Sequence, residues 1–158
     1  MDESTPTRRQ LLGALGAAGT VGIAGCSSGG NGGGSGEGPE ARVSAFLSGG
    51  RPARGYDEIV DMTGQDEVVV KVGAGSKGLA FAPAAVRIST GTTISWQWTG
   101  QGGGHNVVSA SDSDFDFQSG NPKLEGDPFE QSFDNTGVGL YYCRPHRSLG
   151  MEGGLIVE

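Results

Sequence analysis

The chain has 158 residues, of which 31 are glycine and 18% are charged, and its formal net charge at pH 7 is −7. This length suffices for one domain of ordinary size. An acidic chain repels nucleic acid and anionic lipid headgroups, so neither is expected as a partner through charge alone. The chain has two cysteines, and a disulfide is the ordinary expectation for such a pair in an exported protein. The contexts of Cys26 and Cys143 favour separate roles instead.

Residues 1–26 have the features of an export signal. Arg8 and Arg9 precede Leu11–Ala24, a weakly apolar stretch of 14 residues, whereas a membrane span needs about 20. Twin arginines followed by leucines resemble a Tat signal. The final residues, Ile-Ala-Gly-Cys, resemble a lipobox, so Cys26 is predicted to carry a lipid that anchors the protein to the membrane. The alternative is ordinary cleavage after a small residue, which leaves Cys26 free.

Two segments separate this signal from the main domain. Residues 27–39 are rich in Gly and Ser, contain no apolar side chain, and are predicted to form a flexible linker. Residues 40–55 are a lead-in segment in which Val43, Phe46 and Leu47 recur at helix-like spacing. The glycines and the proline that follow leave the structure of this segment open.

Residues 56–158 are predicted to form one all-β domain. Short β-branched or aromatic runs alternate with Gly, Pro, Asp and Asn, and no long segment has helical periodicity. About seven or eight short strands in about a hundred residues favour a Greek-key β-sandwich. The candidate strands are Glu67–Val72, Val86–Ser89, Thr92–Trp98, His105–Ser109, Gln131–Asp134, Gly139–Cys143 and Leu155–Glu158.

Alternation along the third candidate strand places Ile94, Trp96 and Trp98 on one face. Both tryptophans are therefore predicted to lie in the core, and neither is given a functional role.

Four residues at strand ends or in loops form a pattern of metal ligands. Cys143, His146 and Met151 are spaced as Cys-x2-His-x4-Met, and the other histidine of the chain, His105, opens an earlier strand. Thiolate and thioether sulfur favour Cu(I), whereas imidazole binds both Cu(I) and Cu(II). The set therefore predicts one type 1 copper per chain that cycles between the two states.

Each ligand has a plainer interpretation when it is taken alone. A histidine can simply be solvated, Met151 can fill a gap in the core, and Cys143 can be a buried, inert thiol. A structural zinc site is the sharper alternative, although such sites do not usually recruit methionine. The combined spacing favours copper.

Residues 56–158 contain five distinctive motifs: Leu79–Pro83 (LAFAP), Trp96–Gly100 (WQWTG), Gly104–Val108 (GHNVV), Tyr141–His146 (YYCRPH) and Gly150-Met151. Together these motifs resemble the halocyanins, which are relatives of plastocyanin. This resemblance implies a cupredoxin fold, copper ligation by the two histidines, Cys143 and Met151, and an electron carrier in a haloarchaeal respiratory chain.

Residues next to the ligands are given supporting roles. The resemblance implies that Asn106 ties the His105 strand to the Cys143 loop, and such ties hold ligands in place. Pro145 has no N–H that could donate to the cysteine sulfur, which leaves a thiolate more electron-rich; alternatively, this proline only shapes the loop. Alternation places Tyr142 outward, as a candidate second exit for electrons besides His146.

The surface around His146 is expected to meet redox partners. Pro145, Leu149, Gly150 and the glycines at 102–104 predict a largely apolar rim, to which Arg144 and Arg147 add positive charge. In molar salt the Debye length is about 3 Å, so long-range steering is largely screened. Apolar contact is therefore expected to dominate docking.

The expected function is that of a monomeric one-electron carrier, tethered by lipid to the outer face of the cell membrane and serving redox proteins of a respiratory chain. An enzyme is not expected, because both histidines are used and four protein ligands leave no open position for substrate. The main alternative is a copper-binding or trafficking protein without a redox-carrier role, and a sandwich without metal is another. Blue colour with Cu(II) that a mild reductant bleaches would separate the carrier from these alternatives.

Overall fold

The structure is a computed structural model, and it describes residues 38–158. The predicted signal 1–26 with its anchor Cys26, and residues 27–37 of the predicted linker, lie outside the described residues. Within the described part, no helix is both long and apolar enough to cross a bilayer.

Residues 38–158 contain one α-helix, nine strands and a 3-10 helix, and the strands form two sheets. One sheet has the strand order β1-β4-β9-β8-β6 and the other β3-β2-β5-β7. The predicted all-β sandwich is therefore confirmed. The elements are α1 Pro39–Ser48, β1 Val60–Asp61, β2 Glu67–Ala74, β3 Ala80–Ala82, β4 Ala85–Ile88, β5 Thr92–Trp98, β6 Val108–Ser109, β7 Phe129–Phe133, β8 Gly137–Tyr142, the 3-10 helix Arg144–Leu149, and β9 Glu152–Val157.

The strands differ from the sequence prediction mainly where they are short. Strands β1 and β3 were not predicted, because two or three residues are too few to display an alternating pattern. The strand predicted to begin at His105 is reduced to β6, since His105 makes only an isolated antiparallel bridge with Lys123.

The core between the sheets is built around Trp96. Its ring is fully buried, stacks on Phe117 and Phe129 at centroid distances of 5.4 and 5.3 Å, and meets Tyr141 edge-on at 5.5 Å. Aromatic pairs of this kind contribute about 0.5–1.5 kcal/mol each beyond burial. The same core continues to Cys143 and Met151, so the aromatic packing extends to one end of the sandwich.

Helix α1 covers part of the outer face of the five-stranded sheet, over β8 and β9. Val43 and Leu47 are fully buried in a second apolar cluster with Leu140 and Ile156, which explains the helix-like spacing in the lead-in segment. A Cβ added at Gly154 of β9 would lie 2.8 Å from Val43 Cγ1, so the glycine allows this close approach.

The N-terminal part of α1 is also held in place. The helix begins at Pro39, the last residue of the predicted linker; proline suits a first turn because its missing N–H has no helical partner. The Arg42 guanidinium donates to both carboxylate oxygens of Asp114, at 2.8 and 2.9 Å.

Candidate metal centre

Three predicted ligands converge at one end of the sandwich. The sulfur of Cys143 lies 3.6 Å from Nδ1 of His105 and 3.5 Å from Nδ1 of His146. The two ring nitrogens are 3.1 Å apart. One ion placed between these atoms would contact all three, because their separations do not exceed 4.8 Å.

The tautomer of His105 follows from its hydrogen bond. Its Nε2 lies 2.7 Å from the backbone carbonyl oxygen of Gln101. A carbonyl only accepts, so Nε2 carries the proton and donates it, and Nδ1 presents a lone pair to the centre. A histidine held in this way is prepared to bind a metal ion.

Two hydrogen bonds through Thr99 link Gln101, whose carbonyl orients the His105 ring, to Gly73 of strand β2. The Thr99 hydroxyl donates to the Gly73 carbonyl at 2.7 Å, and the N–H of Gln101 donates to that hydroxyl at 3.3 Å. Gly73 has φ +89°, and an added Cβ would lie 2.6 Å from the Gln101 oxygen and 3.2 Å from Cδ2 of His105. Only glycine therefore fits behind the histidine ring.

Trp98 has a role that the sequence interpretation missed. This residue is half-buried, and its indole N–H donates to the carbonyl of His105 at 2.9 Å. Lys123 Nζ lies 4.1 Å from the centroid of the Trp98 ring. A signal was present, because a tryptophan N–H at a strand end needs an acceptor, and Trp98 precedes the turn that leads to His105.

The remaining ligands come from the segment between β8 and β9. Cys143 directly follows β8, and the 3-10 helix returns the chain so that the N–H of Cys143 donates to the carbonyl of Met151 at 3.0 Å. The N–H of Met151 donates to the carbonyl of His146 at 3.2 Å. Cys143 and Met151 are both 0% exposed. The three residues therefore belong to one closed loop, called here the ligand loop (residues 143–151).

Asn106 joins the two halves of the site. Its amide oxygen accepts a hydrogen bond from the N–H of Arg144 at 2.9 Å, and its amide nitrogen donates to the carbonyl of Gly120 at 3.1 Å. The side chain is fully buried. Asn106 thus connects the segment that follows His105 to the start of the ligand loop.

Comparison with known proteins places this donor set in a family. Residues 68–158 match the family model described as copper binding proteins of the plastocyanin/azurin family. The chain belongs to this family.

Relatives of this copper-binding family match over different lengths. Halocyanin of Natronomonas pharaonis is 50% identical over 121 residues, which are 76% of this chain and 74% of that protein. Plastocyanin of Scenedesmus fuscus is 31% identical over 98 residues, which are 58% of this chain and all of that protein. The solved structure of pseudoazurin from Methylobacterium extorquens AM1 has 31% identity and a TM-score of 0.46, covering 58% of this chain and 75% of that one.

The donor set fits the copper that this family binds. The Nδ1 atoms of two imidazoles and a sulfur meet at one end of the sandwich, with the thioether of Met151 buried in the same core. This mixture of nitrogen and soft sulfur suits both oxidation states of copper. His105, Cys143, His146 and Met151 are thus arranged as a type 1 copper site.

The protonation of the metal-free donors follows from burial. Burial raises the pKa of the Cys143 thiol, although the backbone N–H groups of Asn106 and His146 lower it in part. Burial and the neighbouring His105 lower the pKa of His146. Both groups are therefore kept neutral near pH 7, and metal binding must displace the thiol proton.

The two histidines differ in exposure. His105 is 0% exposed, whereas His146 is partly exposed, and Gly103 lies against its outer edge with no side chain to cover it. Tyr142 is half-buried against the apolar cluster under α1, and the Arg147 guanidinium carbon lies 4.1 Å from the centroid of its ring. The two predicted exits, His146 and Tyr142, are thus both partly exposed.

The lead-in segment contacts the ligand loop, which the sequence did not predict. Nε of Arg54 donates to the carbonyl of Leu149 at 2.7 Å, and the N–H of Arg54 donates to the carbonyl of Gly150 at 2.8 Å. These residues precede the segment that matches the family model. They hold the loop immediately before Met151.

The same contact corrects the predicted rim. Gly150 is buried, because Pro52 covers it, and an added Cβ would lie 2.7 Å from the Pro52 carbonyl oxygen. Leu149 is 37% exposed and stays on the surface. Arg51 and Arg54 approach the loop from the lead-in side, so this end of the molecule is more basic than the sequence indicated.

Proposed function

We propose that the protein is a mobile carrier of single electrons. The observation that carries this proposal is the convergence of three donor atoms within 4.8 Å in a pocket where one histidine is buried and the other reaches the surface. When bound, copper supplies the one-electron redox chemistry. The protein supplies a rigid donor set and a short path from that set to solvent.

Rigidity favours electron transfer over catalysis or trafficking. The His105 ring is fixed by its bond to Gln101, and the ligand loop is closed by backbone hydrogen bonds on both sides of His146. Donors that cannot rearrange keep the reorganisation between Cu(I) and Cu(II) small. Both histidines of the chain are used at this site, so none is left to bind a second, catalytic copper.

Titration of the purified metal-free protein with Cu(II) tests this function. One equivalent should produce an intense blue colour, ascorbate should bleach it, and an oxidant should restore it over repeated cycles. A Cu(I) chelator should remove the metal slowly compared with the redox cycle. Rapid loss of Cu(I) to the chelator would instead favour a trafficking role.

We further propose that a lipid on Cys26 tethers the carrier to the outer face of the cell membrane, where redox proteins of a respiratory chain are its partners. The twin arginines and the lipobox-like end of the signal support this location. Replacing Cys26 by serine should move the protein from the membrane fraction to the soluble fraction. The control is Cys143→Ser, which removes the other cysteine and should leave the protein in the membrane fraction.

A further inference from the structure

A cavity beside the ligand loop is lined by three arginines. Arg51 comes from the lead-in segment, and Arg144 and Arg147 come from the 3-10 helix. With Gly49, Ser148 and Glu152 they line an open depression of about 500 Å³, which is called here the arginine cup. It gathers three of the 11 basic residues of a chain whose net charge is −7.

The positive charge of the arginine cup is only partly neutralised. Nε of Arg147 lies 3.3 Å from Oε1 of Glu152, the one acidic residue in the lining. Arg51 and Arg144 form no ion pair with any acidic residue in the part of the chain that the structure describes. Like charges that share one cavity repel each other, so an anion that enters the cup is attracted by the excess charge.

The chemistry of the lining selects for carboxylates. A guanidinium group presents a planar fork of N–H donors that matches the two oxygens of a carboxylate. Arg147 is already held against Glu152 and the ring of Tyr142. Arg51 and Arg144 are therefore the two donors that an incoming carboxylate would engage.

The cup lies beside the ligand loop. Arg144 directly follows the ligand Cys143, and Arg147 directly follows the ligand His146. A partner seated on these arginines would therefore contact residues that are adjacent in sequence to two ligands. Arg51 precedes the segment that matches the family model, so this part of the cup is contributed by the lead-in segment.

We propose that the arginine cup is a docking site for carboxylates on the acidic surface of a redox partner protein. The proposal rests on the electron-carrier function. Carboxylates that pair with Arg51 and Arg144 orient the partner over the exposed edge of His146. Contact pairs of this kind act at distances near 3–4 Å, so they persist in part when salt has screened longer-range attraction.

The test uses the full copper-loaded protein in its reduced form and two small oxidants of opposite charge. Stopped-flow rates are measured at low salt with hexacyanoferrate(III) and with a cationic cobalt(III) phenanthroline complex. Arg51→Gln and Arg144→Gln each remove one charge from the cup, and Lys71→Gln removes one charge from the exposed face of strand β2 as the matched control. Unchanged visible spectra establish that the copper site is intact in each variant.

Each cup variant should slow oxidation by hexacyanoferrate(III) by a factor of about 3 to 10, whereas Lys71→Gln should slow it by less than about 2. Neither cup variant should slow the cationic oxidant. A hexaglutamate peptide should slow oxidation of the wild-type protein by hexacyanoferrate(III) and have no such effect on the double variant Arg51→Gln/Arg144→Gln.

Several outcomes overturn the proposal. Equal slowing by the Lys71 control would mean that only net charge matters. Arginine-dependent sedimentation with phosphatidylglycerol vesicles, without inhibition by hexaglutamate, would assign the cup to lipid headgroups. If both oxidants react and the cup variants behave as wild type, the docking site alone fails; if neither oxidant reacts with the wild-type protein, the carrier function fails with it.

Discussion

His105 and His146 direct equivalent ring nitrogens at each other across 3.1 Å, yet the regions that hold them are built differently. The His105 region belongs to the rigid framework of the sandwich. His105 is fully buried, its ring donates to the carbonyl of Gln101, its own carbonyl accepts from the indole N–H of Trp98, and Gly73 packs behind the ring. The ligand loop lies closer to solvent and is held by its own backbone and by Arg54.

This difference indicates that the His105 side and the ligand loop have separate roles in the copper site. The framework side sets where the donors lie and how firmly the metal is held. The ligand loop supplies the sulfur donors and, under the proposed function, the exposed edge of His146 at which a partner would dock. Substitutions on the two sides should therefore produce different kinds of change, and the predictions below are ordered from the largest expected effect to the smallest.

The largest effect is expected at the sulfur of the ligand loop. Cys143→Ser should abolish the blue absorption and the thiolate-type spectrum of the copper protein, because serine supplies no thiolate. The fold should survive, since the change removes little volume from the core. A variant with an unchanged visible spectrum would falsify the assignment of Cys143 as a ligand.

The next largest effect is expected at Asn106, which links the two sides of the site. Asn106→Ala leaves the N–H of Arg144 and the carbonyl of Gly120 without their partner, which should cost about 1–3 kcal/mol of unfolding free energy. Copper should also dissociate faster, because the ligand loop is no longer tied to the framework. The measurements are chemical denaturation and the rate of copper loss to a chelator.

The exposed Asn135→Ala provides a matched control for Asn106. It makes the same change of side chain in the turn before β8, at the opposite end of that strand from Cys143. If the two variants lose copper at the same rate, Asn106 does not link the two sides.

Met151 should affect the redox potential more than the binding of copper. Met151→Gln replaces a soft thioether by a harder amide oxygen, which favours Cu(II) over Cu(I). The variant should keep one copper per chain and show a lower reduction potential by voltammetry. A potential equal to that of the wild-type protein would remove Met151 from the donor set.

The smallest effect is expected at the surface of the ligand loop. Leu149→Glu places a charge on an exposed apolar side chain of the rim and should slow electron exchange with a physiological partner severalfold at molar salt, with an unchanged copper spectrum. Arg147→Gln should change that rate little, because Glu152 already pairs with this arginine. A greater loss for the arginine variant would show that apolar contact is not the main force in docking.

The sequence predicted the sandwich and the donor set well, for identifiable reasons. Strand β5 has the predicted bounds because Ile94 and Trp96 alternate with more polar residues and both face the core. The donors were recognisable because their side chains are chemically distinctive and three of them lie within nine residues of one another.

The missed features depend on contacts that leave little trace in the sequence. Any residue can supply the carbonyl that Gln101 offers to His105, so its identity carries no signal. The hydrogen bond from Arg54 to Leu149 joins residues 95 positions apart, and no local pattern can indicate it. Gly150 was placed on the rim because the sequence could not predict that Pro52 covers it.

The contact between Arg54 and the ligand loop has a consequence for transplanting this centre into other proteins. The segment that matches the family begins at residue 68, but a chain cut there would lose both the arginine that steadies the loop and the helix that shields Leu140 and Ile156. Without the helix, the sheet that contains β8 and β9 would expose an apolar face to solvent, and the fragment would be prone to aggregate. The shortest fragment that keeps this copper centre intact is therefore expected to begin near Pro39, about thirty residues before the segment that matches the family model.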